Sequence, residues 1–365
     1  MIKSALPKKL NNMWFAGLIF SALIILWMTH CRNKPRAEIN HKENKDITDY
    51  GFILKDGKLW YHDHAMNDVD PQSFTVLDEY YARDSTQLLF YQSYRESKNY
   101  YLTTKNVVEV IKSIDPNSFS PLGEGYGQDK VSAYFEGKSF VVKHPSSLTV
   151  INRHFVKDKL AAYLDRSEIM GSDGSTFELV GSVYAKDRHH VYYYLFSSNG
   201  PGEISILSDF PAQFAVLEHP FAKDEKNVYY FGDKIQTCNP TMFKPLGFGY
   251  SRDDKNVFFQ AFLVNACDLS SFTVFQENEN FTGEGAYGKD KHSVFYKQTA
   301  ISNADVNSFA ILNEHYARDH QSVYFQGRPI RGADVQTFET FPHDMGDADA
   351  KDKNHRYHQG RKVEE

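Results

Sequence analysis

At 365 residues the chain has room for two or three ordinary domains or one extended array, and its charge is modest: −6 net, with 24% charged residues. It has no basic excess, which excludes the usual electrostatic footprint of a nucleic-acid binder. The deviation lies in the aromatics, where 28 Phe and 23 Tyr against 3 Trp make 15% of the chain and favour pleated, half-buried strands, hence an all-β protein.

The first predicted element is apolar. Lys3, Lys8 and Lys9 precede the run Trp14 to Met28, WFAGLIFSALIILWM, and Cys31 follows. A basic head and such a run predict one N-terminal hydrophobic helix, a bacterial-type signal sequence or signal anchor over residues 1–31. Its fifteen residues rise about 22 Å, short of the ~30 Å hydrocarbon core, so a span draws on the flanks. The alternative is a lipoprotein signal with Cys31 lipidated after cleavage, although His30 stands where such signals carry Gly, Ala or Ser. Arg32, Lys34 and Arg36 put positive charge beyond the run as well, so charge orients it weakly. Residues 32–48, RNKPRAEINHKENKDIT, read as a charged flexible stalk. Either anchor predicts membrane attachment through the N-terminal segment, with the β-repeat domain (residues 49–365) outside the cytoplasm, in the periplasm or cell envelope.

After a leading half-unit, YGFILKDGKLWY at 50–61, one line returns nine times between about 70 and 360. Its fixed point is an aspartate: Asp84, Asp129, Asp158, Asp187, Asp224, Asp253, Asp290, Asp319 and Asp352. Three residues earlier stands an aromatic in eight of the nine, from Tyr81 to Tyr316. Five residues later come Leu89, Tyr134, Tyr163, Tyr192, Tyr229, Phe258, Phe295, Tyr324 and Tyr357. Ten residues upstream in seven copies is an apolar anchor, such as Phe74, Leu148 or Phe309; Phe272 and Phe338 lie further from their aspartates because residues are inserted. Successive anchors are 45, 29, 29, 37, 29, 29, 37 and 29 residues apart, so the unit is 29 residues.

The frame, with KNVYY at 226–230, DKNVFF at 254–259 and DKN at 352–354, resembles the DKNYY family of bacterial repeat proteins. The resemblance implies a repeat protein and supplies no activity, cofactor or catalytic residue. The first and ninth copies depart most, with LLFY at 88–91 and RYH at 356–358, as terminal repeats often do.

Each unit opens on Asp-x-x-Ser/Thr-Phe, as in DPNSF at 115 or DVNSF at 305, which predicts a capped turn before the anchor. ARDHQSVYF then reads as strand, turn, strand. Asp319 would take turn N–H groups, with Val323 and Phe325 on one face. Two or three strands per unit bury too little alone, so the expected fold is an elongated solenoid of stacked β-hairpin repeats, with a β-propeller as the alternative.

The nine aspartates suggest a calcium ladder, but a basic residue precedes eight of them, which favours structural turn-capping. GEGYG at 123–127 and GEGAYG at 283–288 lack the helix of a phosphate loop and read as glycine turns. His62 and His64 would share a strand face and could take one metal, but no third ligand follows; His189 and His190 form a further pair. Cys238 and Cys267, 29 residues apart and each five before its anchor, are either a candidate disulfide or two stacked buried cysteines. One of Tyr192 and Tyr193 is expected to face outward, where a tyrosine row could bind ligand. No catalytic residue, metal or cofactor is assigned. The expected function is a non-catalytic, membrane-tethered interaction or scaffolding surface for an unknown protein or envelope component, with no nucleic acid bound. The alternative is an envelope-polymer hydrolase or a glycan-binding protein. The insertions at 92–107, 195–207 and 276–283 are the places to look for individuality.

Overall fold

The computed structural model describes residues 46–95, 102–112, 114–196, 202–275, 287–341 and 348–363. The apolar N-terminal run, Cys31, most of the stalk and the insertion at 276–283 lie outside them. Among the described residues no helix is long and apolar enough to cross a membrane. The chain divides into two compact units, residues 1–66 and 67–365.

In the first unit Asp46 caps a single 3-10 turn, Ile47–Tyr50, by accepting the Thr48 N–H. Three antiparallel strands follow in sequence order: Phe52–Lys55, Lys58–Tyr61 and His64–Met66. Asp56 and Gly57 turn the first hairpin with φ 53° and 75°, the paired left-handed residues of a two-residue loop.

The second unit holds nine sheets, each of four antiparallel strands paired in sequence order. Each repeat therefore contributes four strands, where two or three were expected. The extra passes fit because most of the strands are two or three residues long. In the eighth repeat they are Ala310–Ile311, Tyr316–Arg318, Val323–Phe325 and Arg328–Pro329. Tyr316 pairs with Phe325, Ala317 with Tyr324, and Phe325 with Arg328.

Period-two alternation then gives a sheet with a neighbour on each side two buried faces. Ala317 and Tyr324 turn back onto Tyr287 and Val294 of the seventh repeat; Tyr316 and Val323 turn forward onto Ala350 and Tyr357 of the ninth. Sheets of successive repeats thus stack through side chains, and among the described residues no strand of one sheet pairs with a strand of the next. Full burial of an aromatic or large aliphatic side chain is worth roughly 1.5–3 kcal/mol, so most of the cohesion between repeats comes from these rings.

The anchor ring sits in the seam. Phe309 lies 5.7 Å from Tyr287 of the preceding repeat and 5.6 Å from Tyr324 of its own. Phe338 repeats the arrangement between Tyr316 and Tyr357, at 5.5 and 5.3 Å. The ring covers the residue two before the aspartate, which must stay small. A Cβ on Gly127 would lie 2.1 Å from Phe119 Cζ, and one on Gly288 would lie 2.4 Å from Phe272 Cζ.

The expectation that one of Tyr192 and Tyr193 faces outward holds in part, since Tyr193 is half-buried and lines a groove. Tyr192 is buried in its own seam, and Tyr193 lies against Gly232 of the following repeat. The alternation is as read, but both faces of the sheet have neighbours.

Candidate functional site

The recurrent aspartate is the one polar group written into every repeat. Asp319 Oδ1 accepts the N–H of Gln321 and of Ser322, both at 2.7 Å. Its Oδ2 accepts the N–H of Asp305 at 2.9 Å and the hydroxyl of Tyr324 at 2.8 Å. One carboxylate therefore closes the strand turn, fixes the start of its repeat fourteen residues upstream and satisfies a buried phenol. Asp187 does the same with His189, His190, Asp173 and Tyr192. In the fifth repeat the upstream donor is the Ser208 hydroxyl, at 2.5 Å from Asp224 Oδ2. The tyrosine five residues on donates to its aspartate in six repeats: Tyr134, Tyr163, Tyr192, Tyr229, Tyr324 and Tyr357.

Eight of the nine aspartates are buried, Asp129 being half-buried. Burial alone pushes the Asp319 carboxyl up, but hydrogen bonds from Asp305, Tyr324, Gln321 and Ser322 outweigh it and hold the group below its ordinary value. The same balance sets Asp84 and Asp352 at about 2. Desolvation raises the partner phenols, with the aspartate adding to it, so Tyr229 and Tyr324 reach about 12. Carboxylates so fully committed to donors in their own repeat have little left to offer a metal. Among the described residues no group of three or more His, Cys, Asp or Glu is placed to hold one.

The basic residue before the aspartate acts across the seam in five repeats, through Arg83, Lys157, Lys223, Arg252 and Arg318. Arg83 donates to the Pro116 carbonyl at 2.8 Å, Lys157 to Phe177 at 2.7 Å and Lys223 to Pro240 at 3.0 Å, each in the opening turn of the next repeat. The aromatic three before the aspartate also reaches forward when it is tyrosine. Tyr81 donates to the Gly125 carbonyl at 2.8 Å and Tyr250 to that of Lys297 at 2.7 Å. In the ninth repeat Asp349 occupies this position, and its Oδ1 accepts the hydroxyl of Tyr316 from the eighth, at 2.7 Å. None of these roles was assigned from sequence. The signal was there in the choice of tyrosine over phenylalanine and of Lys or Arg at one fixed offset.

The other candidates disperse. His62 and Asp63 form the turn between two strands, with His62 at φ 51°, so His62 and His64 do not share a strand face as expected. His64 is 3.6 Å from Asp63. His189 and His190 lie in the turn capped by Asp187, and His190 Nδ1 is 2.8 Å from Asp209. Gly123 and Gly125 have φ 86° and 81° and lead into the strand Tyr126–Gln128, with no helix following. Cys238 and Cys267 both carry free thiols here. Cys238 packs beside Phe221 and Ile235, Cys267 beside Tyr250 and Val264. Burial, and then nearby aspartates, push both thiols up to about 12.

Open space recurs instead along the hairpins of third and fourth strands. Over repeats seven to nine these line a groove of about 780 Å³, floored by Tyr296, Phe325 and His358. Grooves of about 540 and 610 Å³ lie against the corresponding hairpins of repeats two to four. Of the extended hairpins, Leu88–Arg95 with Thr104–Ile111 and Val191–Leu195 with Glu203–Ser208, the second borders these smaller grooves.

Fold and turn chemistry together define a tandem-repeat all-β protein whose invariant polar groups are structural. The model of the DKNYY family matches residues 2–138, 52–195 and 212–361, the first two overlapping, which together span most of the chain; the protein belongs to the DKNYY family. No curated protein and no solved structure compared with the chain gave a match.

Proposed function

We propose that this is a non-catalytic, membrane-tethered extracytoplasmic protein whose repeats follow one another as an open solenoid and present a binding surface to a component of the cell envelope. The observation that carries the reading is the commitment of the recurrent carboxylates to their own repeats. What remains for recognition is the outer hairpin row, where residue identity changes from repeat to repeat and grooves open against it. A hydrolase acting on envelope polymers needs a nucleophile or a carboxylate pair held free in one place. The apolar run 14–28, its basic head and the charged stretch 32–48 support the tether and the compartment.

Protease added to intact spheroplasts of a bacterial host producing the full chain tests both parts. Digestion of residues 49–365 without lysis, leaving a membrane-bound N-terminal fragment, is the expected result. Protection until lysis refutes the location. Release of soluble fragments from purified envelope polymer by the full chain refutes the non-catalytic reading.

A further inference from the structure

The grooves along the hairpin row are alike in backbone and unlike in charge. In repeats two to four they are lined by ions of both signs, several of them in pairs. Arg153 meets Glu136, His154 lies 3.1 Å from Asp165, and Lys143 meets Glu168. Over repeats seven to nine the lining holds no acidic residue. Two arginines stand at matching places, Arg328 in the fourth strand of the eighth repeat and Arg361 in that of the ninth, while Lys297, in the turn of the seventh, lies over the Tyr296 ring. Arg328 and Arg361 are exposed, and among the described residues neither has an ion-pair partner. The exposed amides of Gln298, Gln326 and Gln359 stand between them, and the half-buried rings of Tyr296 and Phe325 form the floor.

Resting on the reading of the hairpin row as the binding surface, we infer that the groove over repeats seven to nine takes an extended acidic polysaccharide, carrying about one carboxylate per two sugar rings. Three features of the groove select this chemistry. Unpaired guanidinium groups match carboxylates in two-pronged hydrogen bonding. Amides and ring faces suit the hydroxyls and apolar faces of sugars. The spacing sets the charge density. Sheets stacked face to face lie about 10 Å apart, so cations at one per sheet meet a sparse polyanion; a nucleic-acid strand presents a charge about every 3.4 Å. The grooves of repeats two to four suit this ligand less, because Glu136, Asp165, Glu168 and Glu203 stand among their cations and leave a surface of mixed sign.

The test uses the full chain in detergent, with fluorescently labelled hyaluronan octasaccharide as the probe, followed by anisotropy at low and at physiological salt. An N-acetylglucosamine hexamer serves as the neutral comparison and a (dT)12 oligonucleotide as the nucleic-acid comparison. The expected result is binding of the acidic octasaccharide that weakens with salt, with little binding of either comparison. The double variant Arg328→Gln/Arg361→Gln should weaken it at least about fivefold, as expected for two lost surface charge contacts. Arg153→Gln, in the groove of repeats two and three, should leave it unchanged. Both arginines are exposed, so unchanged circular dichroism separates lost binding from lost fold. Wild-type affinity in the double variant, equal loss with Arg153→Gln, tighter binding of (dT)12, or no binding of the octasaccharide would each overturn the inference. None of these outcomes touches the protease result, so the two readings fail separately.

Discussion

Replacing Asp319 by alanine probes the element on which the repeat is built. The side chain is 2% exposed and accepts four hydrogen bonds, from Gln321, Ser322, Asp305 and Tyr324. At about 1 kcal/mol net per bond, more for a charged acceptor, Asp319→Ala should cost the eighth repeat about 3–5 kcal/mol. Asp319→Asn keeps an oxygen for the two turn amides and turns a donor toward the other two, so it should cost about 2 kcal/mol. Tyr324→Phe removes one bond, about 1 kcal/mol, and should add little on top of Asp319→Ala, since the two share that interaction. Stability in an array is local, so a single unfolding midpoint is a poor reporter. Hydrogen exchange read by mass spectrometry on peptides from 305–325 is the assay. A loss of 4 kcal/mol appears as roughly a thousandfold faster exchange there, with peptides of the second and third repeats unaffected. Exchange in Asp319→Ala within about threefold of the wild type would refute the reasoning. So would equal effects of alanine and asparagine.

In the sixth repeat Phe258 stands where six repeats place a tyrosine bonded to the aspartate; Phe258→Tyr should let the hydroxyl reach Asp253 and slow local exchange by about 0.5–1.5 kcal/mol, whereas faster exchange would mean the site has no room for it. Asp84 and Asp352 lie at about 2 in the folded chain against about 3.9 unfolded, so their stabilisation is complete above about pH 4 and vanishes as pH falls through 2. Far-ultraviolet circular dichroism should therefore hold to about pH 4 and fall below it, and a transition centred above pH 5 would assign acid sensitivity to other groups. With the thiols of Cys238 and Cys267 at about 12, a Cys31→Ser chain should react with a disulfide reagent at pH 8 at least about a hundredfold more slowly folded than in urea. Rapid reaction of the folded chain would place the thiols at the surface; no reaction in urea without reductant would mean they are bonded.

The sequence showed the repeat, its 29-residue period and the strand-turn-strand around each aspartate, because those depend on spacing and on local turn chemistry. It under-counted the strands, since pairs such as Ala310–Ile311 and Arg328–Pro329 are too short to show a period of two. It left open which of Tyr192 and Tyr193 faces outward, because alternation shows that a sheet has two faces and cannot show how far a neighbour covers each. The forward reach of Tyr81, Arg83 and Lys157 lies beyond any reading of one repeat, as their partners sit in the next. The groove over repeats seven to nine escaped for a related reason. Arg328 and Arg361 belong to different repeats, and only stacking brings them to one groove.

Because the sheets share no strand pairing, a seam asks only three things of its neighbours: a ring to wedge between them, a hydroxyl and a cation to hold the next turn. The hydroxyl and the cation sit at fixed offsets from one aspartate, and the ring does so in seven repeats, so most repeats offer their successors much the same socket. A gene for such a chain can gain or lose a whole repeat in one recombination and leave working joints behind. Length is then the inexpensive variable in this architecture, and what differs between descendants of different length is how many outer hairpins they have to diversify.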